Sequence, residues 1–135
     1  MRKKILIIDD DADFAECTRV VLESGDYVVS IAGDTAAGMK KLEMIEPDLI
    51  ILDVMMENRA AGFIFARTMR KNPAYTHIPI LMATSMAEQT GFSIPGDDPK
   101  HPVLLPVDEF MEKPLLPKEL LAKVGELLKK TEEKG

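Results

Sequence analysis

Short apolar runs alternate with amphipathic stretches along the chain, and this alternation limits the folds open to it. The runs have the length of β-strands, and the stretches between them carry apolar residues at helical spacing. Strands that alternate with helices are typical of repeated βα units, in which the strands form a parallel sheet. The predicted strands cover residues 4 to 9, 27 to 32, 49 to 53, 80 to 84 and 109 to 112. We therefore expect an α/β fold with a five-stranded sheet.

The third apolar run differs from a strand that faces water on one side. Leu49, Ile50, Ile51 and Leu52 are apolar at successive rather than alternate positions. A strand of this kind is covered on both faces, as the central strands of parallel sheets are. This run is therefore expected near the middle of the sheet.

The stretch after the first run predicts an amphipathic helix. Asp10 or Asp11 can cap its start, and Gly25 can end it in the left-handed conformation. One face of this helix is lined by Phe14, Cys17, Thr18, Val21 and Leu22. Because Cys17 lies on the apolar face, we expect a buried and unreactive thiol.

The later amphipathic stretches predict three more helices. A second helix begins at a capping Asp34 and ends before Pro47, and a third covers about 62 to 70. The final helix opens at Pro117, which suits a first helical position. Its apolar stripe consists of Leu120, Leu121, Val124, Leu127 and Leu128.

Length and charge narrow the class of protein. With 135 residues, 46% of them hydrophobic, the chain can bury one core and is too short for two ordinary domains. We expect a single domain over 1–130, a frayed tail over 131–135 and no output domain.

The net charge of -6 repels nucleic acid and anionic membranes, so we expect neither as a direct partner. A single cysteine fits the reducing cytoplasm, where we expect the protein to act.

Polar side chains end four of the five runs. Asp9 and Asp10 follow the first, Asp53 ends the third, Thr84 ends the fourth and Lys113 follows the fifth. The carboxyl ends of parallel strands share the edge at which open α/β sheets bind ligands. Taken singly, an aspartate there could be only a helix cap, the threonine only a strand residue and the lysine only a solvated loop residue. Together they predict a site for a divalent cation and a phosphoryl group.

These residues resemble the receiver domain of bacterial response regulators over essentially the whole chain. The similarity rests on the apolar run that ends in Asp9 and Asp10, on 47 to 56, on 80 to 84 and on 110 to 114. It implies a flavodoxin-like, doubly wound sheet in the order 2-1-3-4-5. It also implies a cis peptide bond between Lys113 and Pro114.

The resemblance also implies a role for each site residue. Asp53 would be the phosphoacceptor, open to an incoming donor and loaded by a sensor histidine kinase or phosphotransfer protein. Mg²⁺ would be held by Asp9, Asp10 and Asp53, with Asp10 the more direct ligand, and by the backbone carbonyl of Met55. Lys113 would pair with the phosphoryl group. Thr84 would follow that group inward, and Phe110 would rotate into the space that Thr84 vacates.

The chain departs from the receiver pattern at two places. Glu57 stands where receivers usually have proline, four residues after the phosphoacceptor. The segment from 85 to 108 is longer than usual and rich in proline, so an irregular or missing fourth helix is expected. Its apolar residues would pack over the sheet or form a docking loop for a partner: Phe92, Ile94, Val103 and Leu104.

Three functions remain open at this point. The first is a stand-alone phosphoacceptor switch, a monomer or a phosphorylation-dependent homodimer, which signals by binding a downstream protein and is not a turnover enzyme. The second is a degenerate receiver that binds partners without being phosphorylated. The third is a small Mg²⁺-dependent phosphohydrolase or phosphotransferase of the haloacid dehalogenase type, with Asp9 and Asp11 as its two acids.

Overall fold

The fold is known from a computed structural model that describes residues 2–53, 61–85 and 107–134. The expected metal ligand Met55, Glu57 and the four apolar residues expected at 92, 94, 103 and 104 lie outside these ranges. So does the expected place of the irregular fourth helix.

The described residues form one five-stranded, fully parallel sheet in the order β2-β1-β3-β4-β5. The strands are β1 (Lys4–Ile8), β2 (Val28–Ala32), β3 (Leu49–Asp53), β4 (Ile80–Ser85) and β5 (Glu109–Lys113). Every residue of β3 is buried, which confirms its expected central place. The α/β class and the strand order are as the sequence predicted.

Four helices lie within the described ranges. They are α1 (Ala12–Ser24), α2 (Thr35–Ile45), α3 (Ala61–Lys71) and α4 (Pro117–Lys134). Among these residues, no helix is both long enough and apolar enough to cross a membrane.

Alternate side chains of the strands supply two separate cores. Leu6, Ile8 and Ile50 pack with residues of α2 and α3 on one face of the sheet. Ile7 and Ile51 pack with residues of α1 and α4 on the other face. Helices on both faces are the mark of a doubly wound fold, in which strand side chains of both orientations are apolar.

The start of α1 is as predicted, but its buried face and the turn at its end differ from the prediction. Asp11 is the cap, since one of its carboxylate oxygens accepts a hydrogen bond of 3.0 Å from the Phe14 amide. The predicted burial of Cys17 is wrong: its side chain is exposed, because the buried face of α1 is centred on Ala15, Thr18 and Leu22. The two faces overlap at Thr18 and Leu22, and Cys17 lies at the edge of the arc that is turned away from Ala15.

The turn after α1 is also different from the expectation. Gly25 has a φ of -91°, and the left-handed residue is instead Asp26, with a φ of 72°. Aspartate accepts this conformation more readily than most residues do. By contrast, the expected cap of α2 is confirmed, because Asp34 accepts a hydrogen bond of 2.7 Å from the amide of Ala37.

The end of the chain is helical where a frayed tail was expected. The tail was predicted from residue 131, and α4 continues to Lys134. The Thr131 hydroxyl donates a hydrogen bond to the carbonyl of Leu127, one turn earlier in the helix. At the other end of α4, the Lys113–Pro114 peptide bond is cis, as expected.

Candidate functional site

Parallel register brings the predicted site residues to one edge of the sheet. Ile8 pairs with Leu52 across β1 and β3, so Asp9 and Asp53 each follow a residue of the same pair. Asp53 in turn pairs with Ala83 in β4. The residues at or just after the carboxyl ends of β1, β3 and β4 therefore lie at one crevice.

Lys113 lies between the two buried acids. Its Nζ atom is 3.0 Å from Oδ2 of Asp9 and 3.6 Å from Oδ1 of Asp53. Both carboxylates are only 2% exposed, and the lysine side chain is 15% exposed. Charges so far removed from water interact more strongly than surface charges do, and a buried carboxylate needs such a partner.

Asp10 completes a group of three carboxylates. One oxygen each from Asp9, Asp10 and Asp53 lies within 4.8 Å of the other two. Asp10 is exposed while the other two are buried, so the group opens to solvent on the side of Asp10. Hard cations such as Mg²⁺ take oxygen ligands from one or two carboxylates together with waters, which this arrangement can supply.

The two oxygens of Asp9 have different surroundings. Oδ1 accepts a hydrogen bond of 2.9 Å from the amide of Asp11, which fixes the carboxylate at the start of α1. Oδ2 is buried, and none of the described residues donates an aligned hydrogen bond to it, although the Lys113 ammonium lies close by. A buried oxygen without an aligned donor is suited to a cation, so the residues present fit Mg²⁺.

The exposure of Asp53 differs from the sequence-based expectation. We expected a carboxylate open to an incoming donor, and it is almost fully covered instead. Asp53 lies at the end of the central strand, between β1 and β4, and beside the ammonium of Lys113.

Thr84 and Phe110 are the two remaining predicted site residues, and the structure describes them to different extents. Thr84 follows Ala83 in β4 and pairs with Glu112, so its backbone lies at the expected edge, while its side chain lies outside the part of the chain that the structure describes. Phe110 is half-buried in β5 and packs against the core on the α2 and α3 side. The roles expected of both residues stay predictions.

The sequence placed Phe14 on the correct face of α1 but did not predict its contact with Lys113. Phe14 was expected on the apolar face of α1, and its ring does pack there, yet it also lies under the Lys113 ammonium, 4.2 Å from Nζ to the ring centroid. The available signal was its position in the first turn of the helix that follows Asp9, because that turn begins at the carboxyl edge of the sheet.

The strand order and the acidic pocket at its carboxyl edge are those expected of a receiver domain. Residues 5–125 match the family model of the response regulator receiver domain, and the chain belongs to this family. The match favours a receiver over the haloacid dehalogenase alternative. Receiver domains are signalling domains of two-component systems rather than classical enzymes, and they interact with histidine kinases or phosphotransfer proteins.

Curated relatives share this region at moderate identity. The chain is 33% identical over 129 residues to the DNA-binding dual master transcriptional regulator RpaA of Synechocystis sp., covering 96% of this chain and 50% of the relative. It is 33% identical over 132 residues to the alkaline phosphatase synthesis transcriptional regulatory protein PhoP of Bacillus subtilis, covering 98% and 51%. The chain thus spans about half the length of the curated relatives it matches.

Solved structures agree on the fold. A CheY-like response regulator receiver domain protein from Methanospirillum hungatei has a TM-score of 0.80 at 26% identity, covering 100% of both chains. A receiver domain protein from Clostridium thermocellum has a TM-score of 0.80 at 18% identity, covering 98% of this chain and 99% of that one. Because relatives such as RpaA are named as DNA-binding, the comparisons do not support the expected exclusion of a nucleic-acid partner.

Proposed function

We propose that the chain is a phosphoacceptor switch in a two-component phosphorelay, with Asp53 as the acceptor. The carrying observation is the Lys113 ammonium placed between the buried carboxylates of Asp9 and Asp53. The sensor histidine kinase or phosphotransfer protein would be the donor, in the cytoplasm, and the changed state would be read by a protein that binds this domain.

The proposed transfer is a displacement at phosphorus. An oxygen of Asp53 forms the new bond to phosphorus, the bond from phosphorus to the donor's histidine nitrogen breaks, and the electron pair stays with that nitrogen. Two anions repel each other during this approach, so catalysis depends on nearby positive charge. The Lys113 ammonium supplies part of that charge next to the attacking Asp53 oxygen.

Asp9 and Asp10 serve this proposal as metal ligands. With Asp53 and the backbone carbonyl of Met55, they would hold Mg²⁺, and Asp10 would be the more direct ligand, as the resemblance to receiver domains implies. Bound Mg²⁺ would neutralise charge on the phosphoryl oxygens and orient them. Asp9 also accepts a hydrogen bond from the Asp11 amide, which holds its carboxylate in this orientation.

The output step follows from the charge that an acyl phosphate adds. The anionic oxygens of the acyl phosphate would lie beside Lys113 and the end of β4. They favour the local conformation in which they gain hydrogen-bond donors or cations, so an element with two conformations can shift toward that one. We propose Thr84 and Phe110 as that element, since Thr84 lies near the end of β4 and Phe110 lies in the neighbouring strand β5, paired with Met82 two residues before Thr84. A binding partner that prefers one arrangement would then read the switch.

One observation favours a second candidate. Asp53 is only 2% exposed, which restricts the access of a phosphodonor and so favours a degenerate receiver that binds partners without being phosphorylated. The two functions differ in whether Asp53 becomes an acyl phosphate.

The test is intact mass after incubation with Mg²⁺ and a small-molecule phosphodonor. We expect wild type to gain one phosphoryl group and Asp53→Asn to gain none. Asp13→Asn is the matched control, because Asp13 is an exposed acid in the first turn of α1 and outside the carboxylate group. Borohydride reduction followed by peptide mapping locates the modified aspartate.

Each result decides between the candidates. Phosphoryl gain in wild type and Asp13→Asn, lost in Asp53→Asn, supports the switch. Unmodified wild type at all Mg²⁺ concentrations, also with a panel of phosphorylated histidine kinases, supports the degenerate receiver. Replacing Asp10 by Asn should raise the Mg²⁺ concentration needed for half-maximal rate, and an unchanged requirement would contradict its role as a ligand.

A further inference from the structure

The ring of Phe14 lies under the ammonium of Lys113, with 4.2 Å between Nζ and the ring centroid. We propose that Phe14 is a positioning residue, whose ring face holds this ammonium against Asp9 and Asp53. The inference rests on the proposed phosphoacceptor function, because it assigns to Phe14 part of the rate of that transfer.

Three attractive groups of the described residues lie close to the ammonium. Asp9 Oδ2 is 3.0 Å away, Asp53 Oδ1 is 3.6 Å away, and the Phe14 ring is the third neighbour. A lysine ammonium is a point charge on a flexible stem, so its position depends on what surrounds it. The negative face of an aromatic ring attracts a cation, and more strongly where the cation has lost water, as at this 15% exposed side chain.

The ring itself is held in place by the backbone of α1. The Phe14 amide donates to Asp11 Oδ1 at 3.0 Å, and the Phe14 carbonyl accepts from the Thr18 hydroxyl at 2.8 Å. The amide of Asp11 donates in turn to Asp9. The ring, the helix cap and one of the acids that contact Lys113 are thereby joined within six consecutive residues, 9 to 14.

A ring has an advantage over a further carboxylate at this position. It attracts the ammonium without a formal charge, so it fixes the ammonium's position while leaving its positive charge available. When phosphorus approaches Asp53, the ammonium is then already next to the attacking oxygen. Positioning of this kind lowers the barrier because less rearrangement is needed at the moment of transfer.

The first test measures the rate of phosphoryl gain from a small-molecule donor at saturating Mg²⁺. Phe14→Leu keeps an apolar side chain and removes the ring face, and we expect a rate roughly fivefold to tenfold lower. Phe14→Tyr keeps the ring and should keep most of the rate. Tyr27→Leu is the matched control: Tyr27 is a half-buried aromatic residue that packs on the same core but precedes β2, at the opposite edge of the sheet.

Fluorination separates electrostatics from packing. Site-specific replacement of Phe14 by monofluorinated, difluorinated and trifluorinated phenylalanine weakens the negative ring face stepwise with little change in shape. The logarithm of the rate should fall steadily along this series, whereas a purely structural side chain would give a flat series. A flat series with a phosphorylated wild type overturns the inference and leaves the proposed function standing.

A second measurement does not depend on phosphorylation. In wild type the methylene protons of Lys113 next to Nζ should have resonances shifted by the ring current of Phe14, and the shift should vanish in Phe14→Leu. If wild type gains no phosphoryl group, the proposed function fails, and this shift still decides whether the ring holds the ammonium. Identical lysine resonances in the two proteins would overturn the placement.

Discussion

Gly38 of α2 lies directly against Ile8, the last residue of β1. A Cβ atom on Gly38 would be 2.7 Å from Cδ1 of Ile8, and 3.2 and 3.3 Å from its Cγ1 and Cγ2. Ile8 is fully buried, so a methyl group at position 38 would displace its Cδ1 atom within the packed core. The close approach of α2 to the strand that precedes Asp9 therefore favours glycine at this position.

The first prediction compares Gly38→Ala with Gly125→Ala. Alanine at 125 meets no atom within 4 Å, so its higher helix propensity should raise the free energy of unfolding by about 1 kcal/mol. Alanine at 38 should instead lower it by about 1 kcal/mol, because overpacking outweighs the same propensity gain. Urea unfolding of both variants measures this, and equal stabilisation of the two would show that Ile8 shifts freely.

The second prediction concerns Arg70 at the end of α3. Its Nη1 donates to the carbonyls of Thr76 and Ile78 at 2.9 and 2.8 Å, and its Nη2 lies 2.6 Å from Oδ2 of Asp108. Asp108 Oδ2 also accepts from the amide of Ile80. The guanidinium thus ties α3, the loop before β4 and the residue before β5 together.

A lysine cannot reach these three acceptors at once, since its donors do not form a planar fork. Arg70→Lys should therefore lower the free energy of unfolding by about 1 to 2 kcal/mol in urea titration. Arg67→Lys, an exposed position on the same helix, is the control and should change stability little. Equal effects at the two positions would argue against the proposed link between α3 and the sheet.

The third prediction concerns pH and the pair formed by Glu109 and Lys123. Burial acts to raise the pKa of Glu109, but it is outweighed by several lowering contributions together: the hydrogen bond from Lys123, 3.1 Å away, the hydrogen bond from the Phe110 amide, and the charges of Lys123 and Lys130. The pKa therefore lies below the usual value. A lowered pKa in the folded state adds stability above the unfolded-state pKa near 4.5, and this is lost as the pH falls through the folded value. The hydrogen bond raises the pKa of Lys123, whose contribution is lost only in strong alkali above 10.5.

Glu109→Gln should remove this acid-dependent contribution. The difference in unfolding free energy between wild type and Glu109→Gln is expected to be constant near neutral pH and to shrink below about pH 4.5. Denaturant unfolding across that range measures the difference. A difference that grows as the pH falls would mean that the sign assigned to the pair is wrong.

The fourth prediction concerns the buried charges around Lys113. Lys113→Met leaves the carboxylates of Asp9 and Asp53 buried without their cation, and should lower the free energy of unfolding by about 3 kcal/mol without Mg²⁺. Asp53→Asn removes one of three crowded negative charges and should be at least as stable as wild type. Thermal unfolding with chelator tests both, and added Mg²⁺ should raise the midpoint of wild type more than that of Asp53→Asn.

The fifth prediction follows from the exposed Cys17. A thiol on the outer face of α1 should react with a small alkylating reagent in the native protein at a rate close to that in urea. A buried thiol, as the helical pattern first indicated, would react only after unfolding. Intact mass over time distinguishes the two, and Cys17→Ser is the blank.

Cys17 also shows where the local pattern stops being sufficient. Phe14, Thr18 and Leu22 were placed on the inner face correctly, because a period of 3.6 residues relates them. Cys17 lies at the edge of the same arc, and whether such a residue is covered depends on how the helix is rotated against the sheet, which its neighbours in the sheet and α4 decide. The turn at Gly25 and Asp26 is similar, since either residue accepts a left-handed conformation.

The sequence by itself determined the strands, the burial of β3, the aspartate caps that begin α1 and α2, and the edge at which the acids gather. These follow from local rules: periodicity, capping and the parallel connection of βα units. Only the tertiary structure decided that Asp53 is covered, that Gly38 touches Ile8, and that Phe14 lies under Lys113. Such contacts join residues far apart in the chain, so they depend on register and packing distances, which no local pattern encodes.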